Sequence, residues 1–228
     1  MKLPDELFYD DNVMYSRRAI ENKVTHLGRV ISEEYYGKQL VIIEVLNGAS
    51  TFVSDLIRCI DLPLELDTIS VSSYKGTEST GTITLLKDIR CSIEGKEVLI
   101  VDDILDTGLT LEWISNYLEN YNPKSIQVAA CLKKKKDNQK KVDCKYFCFE
   151  CEDEFVVGYG LDYNGLYRNL PHIAILPNHL RSIDDFDSLY EYFVRTSKHA
   201  NEDEQELYSN MLERLSNPLT PDTNIFAL

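Results

Sequence analysis

The sequence predicts an α/β fold in which helices flank a mainly parallel sheet. Apolar segments typical of buried strands alternate along the chain with amphipathic segments typical of helices, and this alternation favours parallel strands joined by helical crossovers. A chain of 228 residues is long enough for one such domain with an appendage. Hydrophobic residues make up 43% and charged residues 27% of the chain, as is usual for globular proteins.

The first elements form a helix, a strand and a second helix. Apolar residues recur at spacings of three and four over residues 16–36, which predicts an amphipathic helix that ends at Gly37. The β-branched run at residues 40–46 suits a strand covered on both faces. A short turn then leads into a helix over residues 51–59. The same patterns predict strands at 65–72, 97–101, 125–132 and 144–149 and a helix at 110–121.

Two segments fall outside this alternation. The stretch SSYKGTESTGTI is rich in Gly, Ser and Thr and has no apolar periodicity; a loop this long predicts a functional lid, with a disordered hairpin tip as the alternative. After Pro177 the chain becomes acidic and helical in pattern. We therefore expect a main domain at 1–177 and a helical extension at 178–228, which packs on the domain, on a second subunit, or on a dedicated partner.

The charge and the cysteines limit the classes of partner. A net charge of −14 disfavours nucleic acid as a partner. The lysine run 133–136 is either a solvated loop with one lysine pointing inward, or a footprint for phosphate or RNA. The amino-terminal sequence lacks a signal-peptide pattern, so we expect a cytoplasmic protein with reduced thiols and no membrane association. Cys144, Cys148 and Cys151 fit a strand better than a metal site.

The segment VLIVDDILDTGLTL at residues 98–111 contains the strongest site signal. Its apolar strand brings Asp102 and Asp103 to the carboxyl end, where open α/β sheets bind ligands. These carboxylates can hold two ribose hydroxyls or orient a hydrated Mg²⁺. The next residues start a helix, whose N–H groups and dipole favour a phosphate. They are Asp106, Thr107, Gly108, Leu109 and Thr110. A chance acidic turn is the alternative.

This segment resembles the recognition stretch of the type I phosphoribosyltransferases. The resemblance implies a Rossmann-like core with a small hood and a substrate of Mg²⁺ with 5-phosphoribosyl pyrophosphate. A second stretch, DEFVVGYGLDYNGLYR at residues 153–168, resembles the hypoxanthine-guanine members, and similarity extends over about residues 19–176. By this resemblance the chain is a purine salvage enzyme that makes IMP or GMP. A homodimer or homotetramer is also implied.

The resemblance assigns roles around a purine. Phe155 should stack on the base, the Val156 backbone should meet its pyrimidine edge, and Lys134 should contact the exocyclic oxygen. A lysine donates and cannot accept, which favours a 6-oxopurine over adenine. Asp162 should lie in the purine site near the metal and pyrophosphate, and Arg168 should bind pyrophosphate. A core Phe155, a turn cap at Asp162 and a surface ion pair at Arg168 are the structural alternatives, and the other three lysines of the run should stay in solvent.

The implied reaction displaces pyrophosphate from ribose C1 by purine N9, with Asp106 assisting at N7 as a base or as an electrostatic stabiliser. Ser73, Tyr74 and the following loop would close over the site and exclude water. The metal ligands would be Asp102, Asp103 and Asp162.

One turn departs from the family pattern, because Asn47 stands before Gly48 where a basic residue is usual. In the family this peptide is often cis and binds pyrophosphate, so pyrophosphate affinity or subunit contacts could differ. Two other functions compete with the enzyme: a ligand-sensing regulator that binds nucleic acid, and a catalytically silent family member whose acidic tail recruits partners.

Overall fold

The computed structural model describes residues 5–9, 11–73, 83–136, 142–182 and 188. Three α-helices lie in these ranges: α1 (Arg17–Glu34), α2 (Ser50–Ile57) and α3 (Leu109–Glu119). The strands, in chain order, are β1 (Val13–Tyr15), β2 (Leu40–Leu46), β3 (Leu64–Ser73), β4 (Ile83–Lys87), β5 (Glu97–Leu105), β6 (Ser125–Lys134), β7 (Tyr146–Cys151), β8 (Val156–Val157) and β9 (Ile173–Ile175). Two 3-10 turns span Asp5–Phe8 and Asn178–Ser182.

Six strands form the main sheet in the order β4-β3-β2-β5-β6-β7. The neighbours from β3 to β7 pair in parallel, and β4 pairs antiparallel with β3 at the edge. Residues of α1 and α2 cover one face of this sheet and residues of α3 cover the other. The predicted fold class is therefore confirmed, with the carboxyl ends of five parallel strands on one edge.

A second, three-stranded antiparallel sheet has the order β1-β9-β8. Its apolar cluster joins residues near both ends of the described chain: Leu7, Val157, Tyr167, Leu170, Ala174, Leu176 and Leu180. We identify this small sheet with the small hood that the family resemblance implies. Its strands have two or three residues each, too few for the periodicity from which the longer strands were predicted.

Strands β3, β5 and β6 are longer than the sequence predicts. Parallel pairing continues past the apolar run, with Asp102 beside Ala130 and Leu105 beside Lys133. The prediction that Asp102 and Asp103 follow the end of β5 is therefore wrong, because both lie within the strand. The last strand of the main sheet is shifted by two residues from its predicted start at Cys144, since Tyr146 is the first of its residues to pair with β6.

The predicted extension falls almost wholly outside the described ranges. Of residues 178–228, only Asn178–Ser182 and residue 188 lie in them.

Within the described ranges, none of the helices has the length and apolar character needed to cross a membrane.

Candidate active site

The candidate site lies at the edge of the main sheet where the parallel strands end. β2 ends at Leu46, β3 at Ser73, β5 at Leu105 and β6 at Lys134. A cavity of about 280 Å³ opens at this edge. The predicted site residues that line it are Gly48, Asp102, Asp103, Asp106, Thr107, Gly108, Thr110, Asp162 and Arg168. Sequence-distant segments thus meet at one cavity, whereas the predicted purine residues Lys134, Phe155 and Val156 do not line it.

Asp102 and Asp103 are adjacent carboxylates that line the cavity, and Asp102 is buried. Burial and the neighbouring Asp103 charge raise the pKa of Asp102 well above its usual range. Burial also raises the pKa of Asp103, while the positive charge of Arg168 opposes this rise. Two carboxylates with raised pKa values favour a cation or several hydrogen-bond donors as the ligand.

The predicted phosphate loop, Asp106–Thr110, turns into helix α3, as its sequence predicts. Gly108 adopts a φ of +80° at the N-cap of α3, a backbone conformation that a side chain would strain. The Leu109 N–H donates to the Thr107 hydroxyl at 3.4 Å. The Leu109 side chain is exposed and does not line the cavity, so only its backbone can serve a phosphate there. The helix amino terminus adds a favourable dipole for an anion.

The turn after β2 packs tightly against the carboxylates. The peptide bond between Leu46 and Asn47 is cis, although Asn47 replaces the usual basic residue. A Cβ at Gly48 would overlap the Asp103 carboxylate, and a Cβ at Gly160 would overlap the Gly48 carbonyl. Gly48 lines the cavity and Asn47 does not. This side of the cavity is therefore formed by the backbone of the turn. Asn47 adds no positive charge to it.

Arg168 and Asp162 form an ion pair at the cavity wall. The Arg168 guanidinium lies 2.8 Å from Asp162 Oδ1 and donates to the Gly160 carbonyl at 2.6 Å. Asp162 Oδ2 accepts the Gly165 N–H at 2.7 Å. The turn cap and the ion pair named as structural alternatives are therefore present. They coexist with the predicted location, because both side chains also line the cavity.

Lys134 is a buried member of the lysine run. It is 7% exposed, and its ammonium lies 3.7 Å from Asp106 Oδ2 and 3.2 Å from Asp153 Oδ1. The end of β6 thus brings the predicted purine contact beside the predicted catalytic acid. An ammonium group donates hydrogen bonds and cannot accept them, so Lys134 suits a carbonyl oxygen as its ligand.

Lys136 contradicts the prediction that the other three lysines stay in solvent. Its ammonium lies 2.6 Å from Asp106 Oδ1 and 2.8 Å from Asp153 Oδ1. Hydrogen bonds from Lys136 and Lys134 lower the pKa of Asp153. Lys133 is also partly buried, against the Phe147 ring at 4.8 Å, whereas Lys135 is exposed as predicted. The acidic residues beside the run draw its side chains inward.

Phe155 is not core, because 37% of it is exposed. Its ring meets Tyr163 edge-on at 5.4 Å, and the Arg181 guanidinium lies 5.3 Å from its centroid. Val156 is buried in β8, which pairs with β9. The sequence predicts neither the contact of Arg181 with Phe155 nor that of Asp153 with Lys134, because each joins segments that are apart along the chain.

The predicted lid lies mostly outside the described residues. Ser73 ends β3 and pairs with Ile83 of β4, but Tyr74 and the rest of the predicted lid are not among them.

The predicted metal ligands do not form a complete site. Among the residues that are described, no three Asp, Glu, His or Cys side chains form a group able to hold a metal ion. Asp102, Asp103 and Asp162 share a cavity without making a closed ligand set.

The sequence of this chain matches a known protein family and its characterised members. The family model described as phosphoribosyl transferase domain matches residues 13–164. A hypoxanthine-guanine phosphoribosyltransferase of Staphylococcus epidermidis is 45% identical over 166 residues, which cover 72% of this chain and 93% of that protein.

Solved structures agree with this assignment. A hypoxanthine phosphoribosyltransferase of Staphylococcus aureus is 43% identical, with a TM-score of 0.71 over 74% of this chain and 92% of that one. A hypoxanthine-guanine phosphoribosyltransferase of Bacillus anthracis is 39% identical, with a TM-score of 0.66 over 73% of this chain and 98% of that one. The chain therefore belongs to the phosphoribosyltransferase family, in the branch that contains the hypoxanthine-guanine enzymes.

Proposed function

We propose that this enzyme transfers the 5-phosphoribosyl group of phosphoribosyl pyrophosphate to N9 of hypoxanthine or guanine. The products are IMP or GMP and pyrophosphate, which is a purine salvage reaction. The observation that carries the proposal is the 3.7 Å separation of Lys134 Nζ from Asp106 Oδ2. Lys134, a donor suited to a 6-oxo group, therefore lies beside Asp106, the acid that begins the proposed phosphate loop.

The sugar and its phosphate occupy the cavity at the sheet edge in this proposal. Asp102 and Asp103 hold the ribose hydroxyls, and the residues of the phosphate loop, Asp106 to Thr110, bind the 5′-phosphate through N–H groups and hydroxyls. Arg168, with the backbone of Asn47 and Gly48, binds pyrophosphate. An arginine suits this role because its planar fork donates to two phosphate oxygens at once.

The purine lies between Lys134 and Phe155. Phe155 offers a partly exposed ring for stacking, which contributes about 1–3 kcal/mol per base. Lys134 donates to the 6-oxygen, and the backbone of Val156 contacts the pyrimidine edge. Adenine presents an amino group at that position, so the Lys134 donor would lose its partner.

The chemistry forms one bond at ribose C1 and breaks another. The lone pair of N9 attacks C1 as the bond from C1 to the pyrophosphate oxygen breaks, with inversion and an oxocarbenium-like transition state. The purine then loses the proton of N7, which Asp106 accepts or stabilises as it leaves. Pyrophosphate departs with the electron pair of the broken bond. The predicted Tyr74 loop would exclude water, which competes as nucleophile.

The residues present fit a magnesium ion that is bound together with its substrate. Mg²⁺ prefers oxygen ligands, keeps several waters, and commonly takes one or two carboxylates plus substrate phosphates. Asp102, Asp103 and Asp162 supply such carboxylates around one cavity. The ion, when bound, would neutralise negative charge that develops on the leaving pyrophosphate.

Assembly and location belong to the same proposal. We infer from the family that the protein is a homodimer or a homotetramer. Its molar mass, measured by light scattering after size-exclusion chromatography, tests this inference. The six cysteines all lie in the described ranges, and none forms a disulfide. Free thiols fit the reducing cytoplasm.

An assay of turnover tests the proposal. Purified protein is supplied with Mg²⁺, phosphoribosyl pyrophosphate and one of hypoxanthine, guanine, xanthine or adenine, and the nucleotide formed is identified. We expect IMP and GMP and almost no AMP. If no base gave turnover, the proposed activity would be contradicted and a catalytically silent family member would be favoured.

A further inference from the structure

A buried carboxylate lies just below the candidate site. Glu44 is the one charged residue in the apolar strand Leu40–Leu46, and it is 8% exposed. It pairs in register with Val101 of β5, two residues before Asp103. A buried carboxylate is costly unless it is hydrogen-bonded. The buried Glu44 carboxylate therefore requires a hydrogen-bond donor.

The Ser50 hydroxyl donates to Glu44 Oε1 at 2.6 Å. Ser50 is the first residue of α2, and it directly follows the turn that contains Asn47 and Gly48. The Ser50 N–H also donates to the Asn47 carbonyl at 3.3 Å. The turn is thus fixed at one end by β2 and at the other by the contact between Ser50 and Glu44.

The turn tolerates little movement. A side chain atom on Gly48 would overlap the Asp103 carboxylate, and one on Gly160 would overlap the Gly48 carbonyl. The carbonyl of Gly160 also accepts from Arg168, which lines the same cavity. A shift of the turn would therefore disturb Asp103 and the Arg168 position together.

We propose that Glu44 and Ser50 are positioning residues that hold the Leu46–Ala49 turn in the geometry that binds pyrophosphate. Neither touches the reacting atoms. This inference rests on the proposed role of the turn in pyrophosphate binding. It predicts that breaking the contact weakens interactions with the pyrophosphate group and leaves purine binding unchanged.

The test compares Ser50→Ala, Ser50→Thr and the double variant Glu44→Leu with Ser50→Ala. The KM for phosphoribosyl pyrophosphate and the inhibition constant of product pyrophosphate should each rise about tenfold in Ser50→Ala. Ser50→Thr, which keeps the hydroxyl, should restore both to within about threefold. The KM for hypoxanthine should change less than twofold in every variant.

The double variant separates positioning from stability. Replacing both buried partners with apolar or small groups can leave stability nearly unchanged. This variant should therefore melt near the wild-type temperature and still show the raised KM for phosphoribosyl pyrophosphate. It also keeps the proposal testable if Ser50→Ala fails to fold.

The chain contains a matched control at the opposite edge of the sheet. The Ser125 hydroxyl donates to Glu97, which is 7% exposed and starts β5. Ser125→Ala should lower the melting temperature without changing the KM for phosphoribosyl pyrophosphate. If Ser50→Ala behaves like Ser125→Ala, the inference is wrong. Calorimetric binding of pyrophosphate with Mg²⁺ to the same variants tests it even if the wild type lacks turnover, so the two proposals can fail separately.

Discussion

The Lys136 ammonium lies 2.6 Å from Oδ1 of Asp106, the acid to which we assign the central role in the reaction. A purine that approaches Asp106 therefore meets a carboxylate already engaged by a cation. Partly exposed ion pairs of this kind contribute about 0–1 kcal/mol. The contact is weak enough for a substrate to displace and strong enough to measure.

Removing this contact should tighten purine binding. In Lys136→Ala, the KM for hypoxanthine should fall by about two- to fivefold because Asp106 loses a competing partner. Steady-state kinetics at saturating phosphoribosyl pyrophosphate measure the change. Lys135→Ala is the control, since Lys135 is exposed and pairs with Glu152 at 3.1 Å. A higher KM in Lys136→Ala would show that Lys136 assists the purine.

Lys134 should determine the choice of base. A glutamine at this position can accept as well as donate, so Lys134→Gln should lower the kcat/KM ratio of hypoxanthine to adenine by at least about tenfold. Competition between the two bases in one reaction gives the ratio directly. Lys133→Gln, altered at a lysine that packs on Phe147, should preserve it. An unchanged ratio in Lys134→Gln would remove Lys134 from base recognition.

Phe155 should contribute to purine affinity and little to the sugar site. Phe155→Leu should raise the KM for hypoxanthine by about 5- to 150-fold, which corresponds to the stacking energy of about 1–3 kcal/mol. The affinity for phosphoribosyl pyrophosphate should stay within about twofold. Phe147→Leu is a matched control, because both rings lie beside a cation: Lys133 is 4.8 Å from the Phe147 ring and Arg181 is 5.3 Å from the Phe155 ring. Equal effects of the two substitutions would indicate a general loss of packing.

Acid stability should depend on Asp67. Burial raises the pKa of this carboxyl, but hydrogen bonds from the backbone of Cys91, Arg90 and Thr68 and the Lys87 charge outweigh it and lower the pKa to about 2. A carboxyl with a depressed folded pKa stabilises the fold above its unfolded pKa and loses this effect as the pH falls towards the folded value. That window runs from about pH 4 to about pH 2.

The variant Asp67→Asn should therefore lose about 2 kcal/mol of unfolding free energy at pH 7, and its stability should vary less between pH 4 and pH 2. Urea unfolding at several pH values measures both effects. A wild-type slope retained in the variant would assign the acid sensitivity to other groups.

The long elements and the turn at residues 106–110 could be predicted because their signals are local. Strand β2 has the predicted bounds, and the turn leads into α3 at Leu109, one residue before the predicted start of that helix. Features made by distant segments could not be predicted in this way. Lys136 meets Asp106 only because β5 and β6 are neighbours, and Arg181 meets Phe155 across the hood. The extension of β5 through Asp102 and Asp103 likewise depends on pairing with β6, which overrides the polar character of these residues.

We propose a dual role for Asp106, since this residue begins the predicted phosphate loop and also lies within 3.7 Å of the lysine proposed to select the base. The decisive measurement is the single-turnover rate of Asp106→Asn with hypoxanthine, set against its calorimetric affinity for phosphoribosyl pyrophosphate with Mg²⁺. The rate should fall by about 10²- to 10⁴-fold, the range for general acid–base catalysis, while the affinity weakens far less. Equal losses in rate and affinity would contradict the role assigned to Asp106.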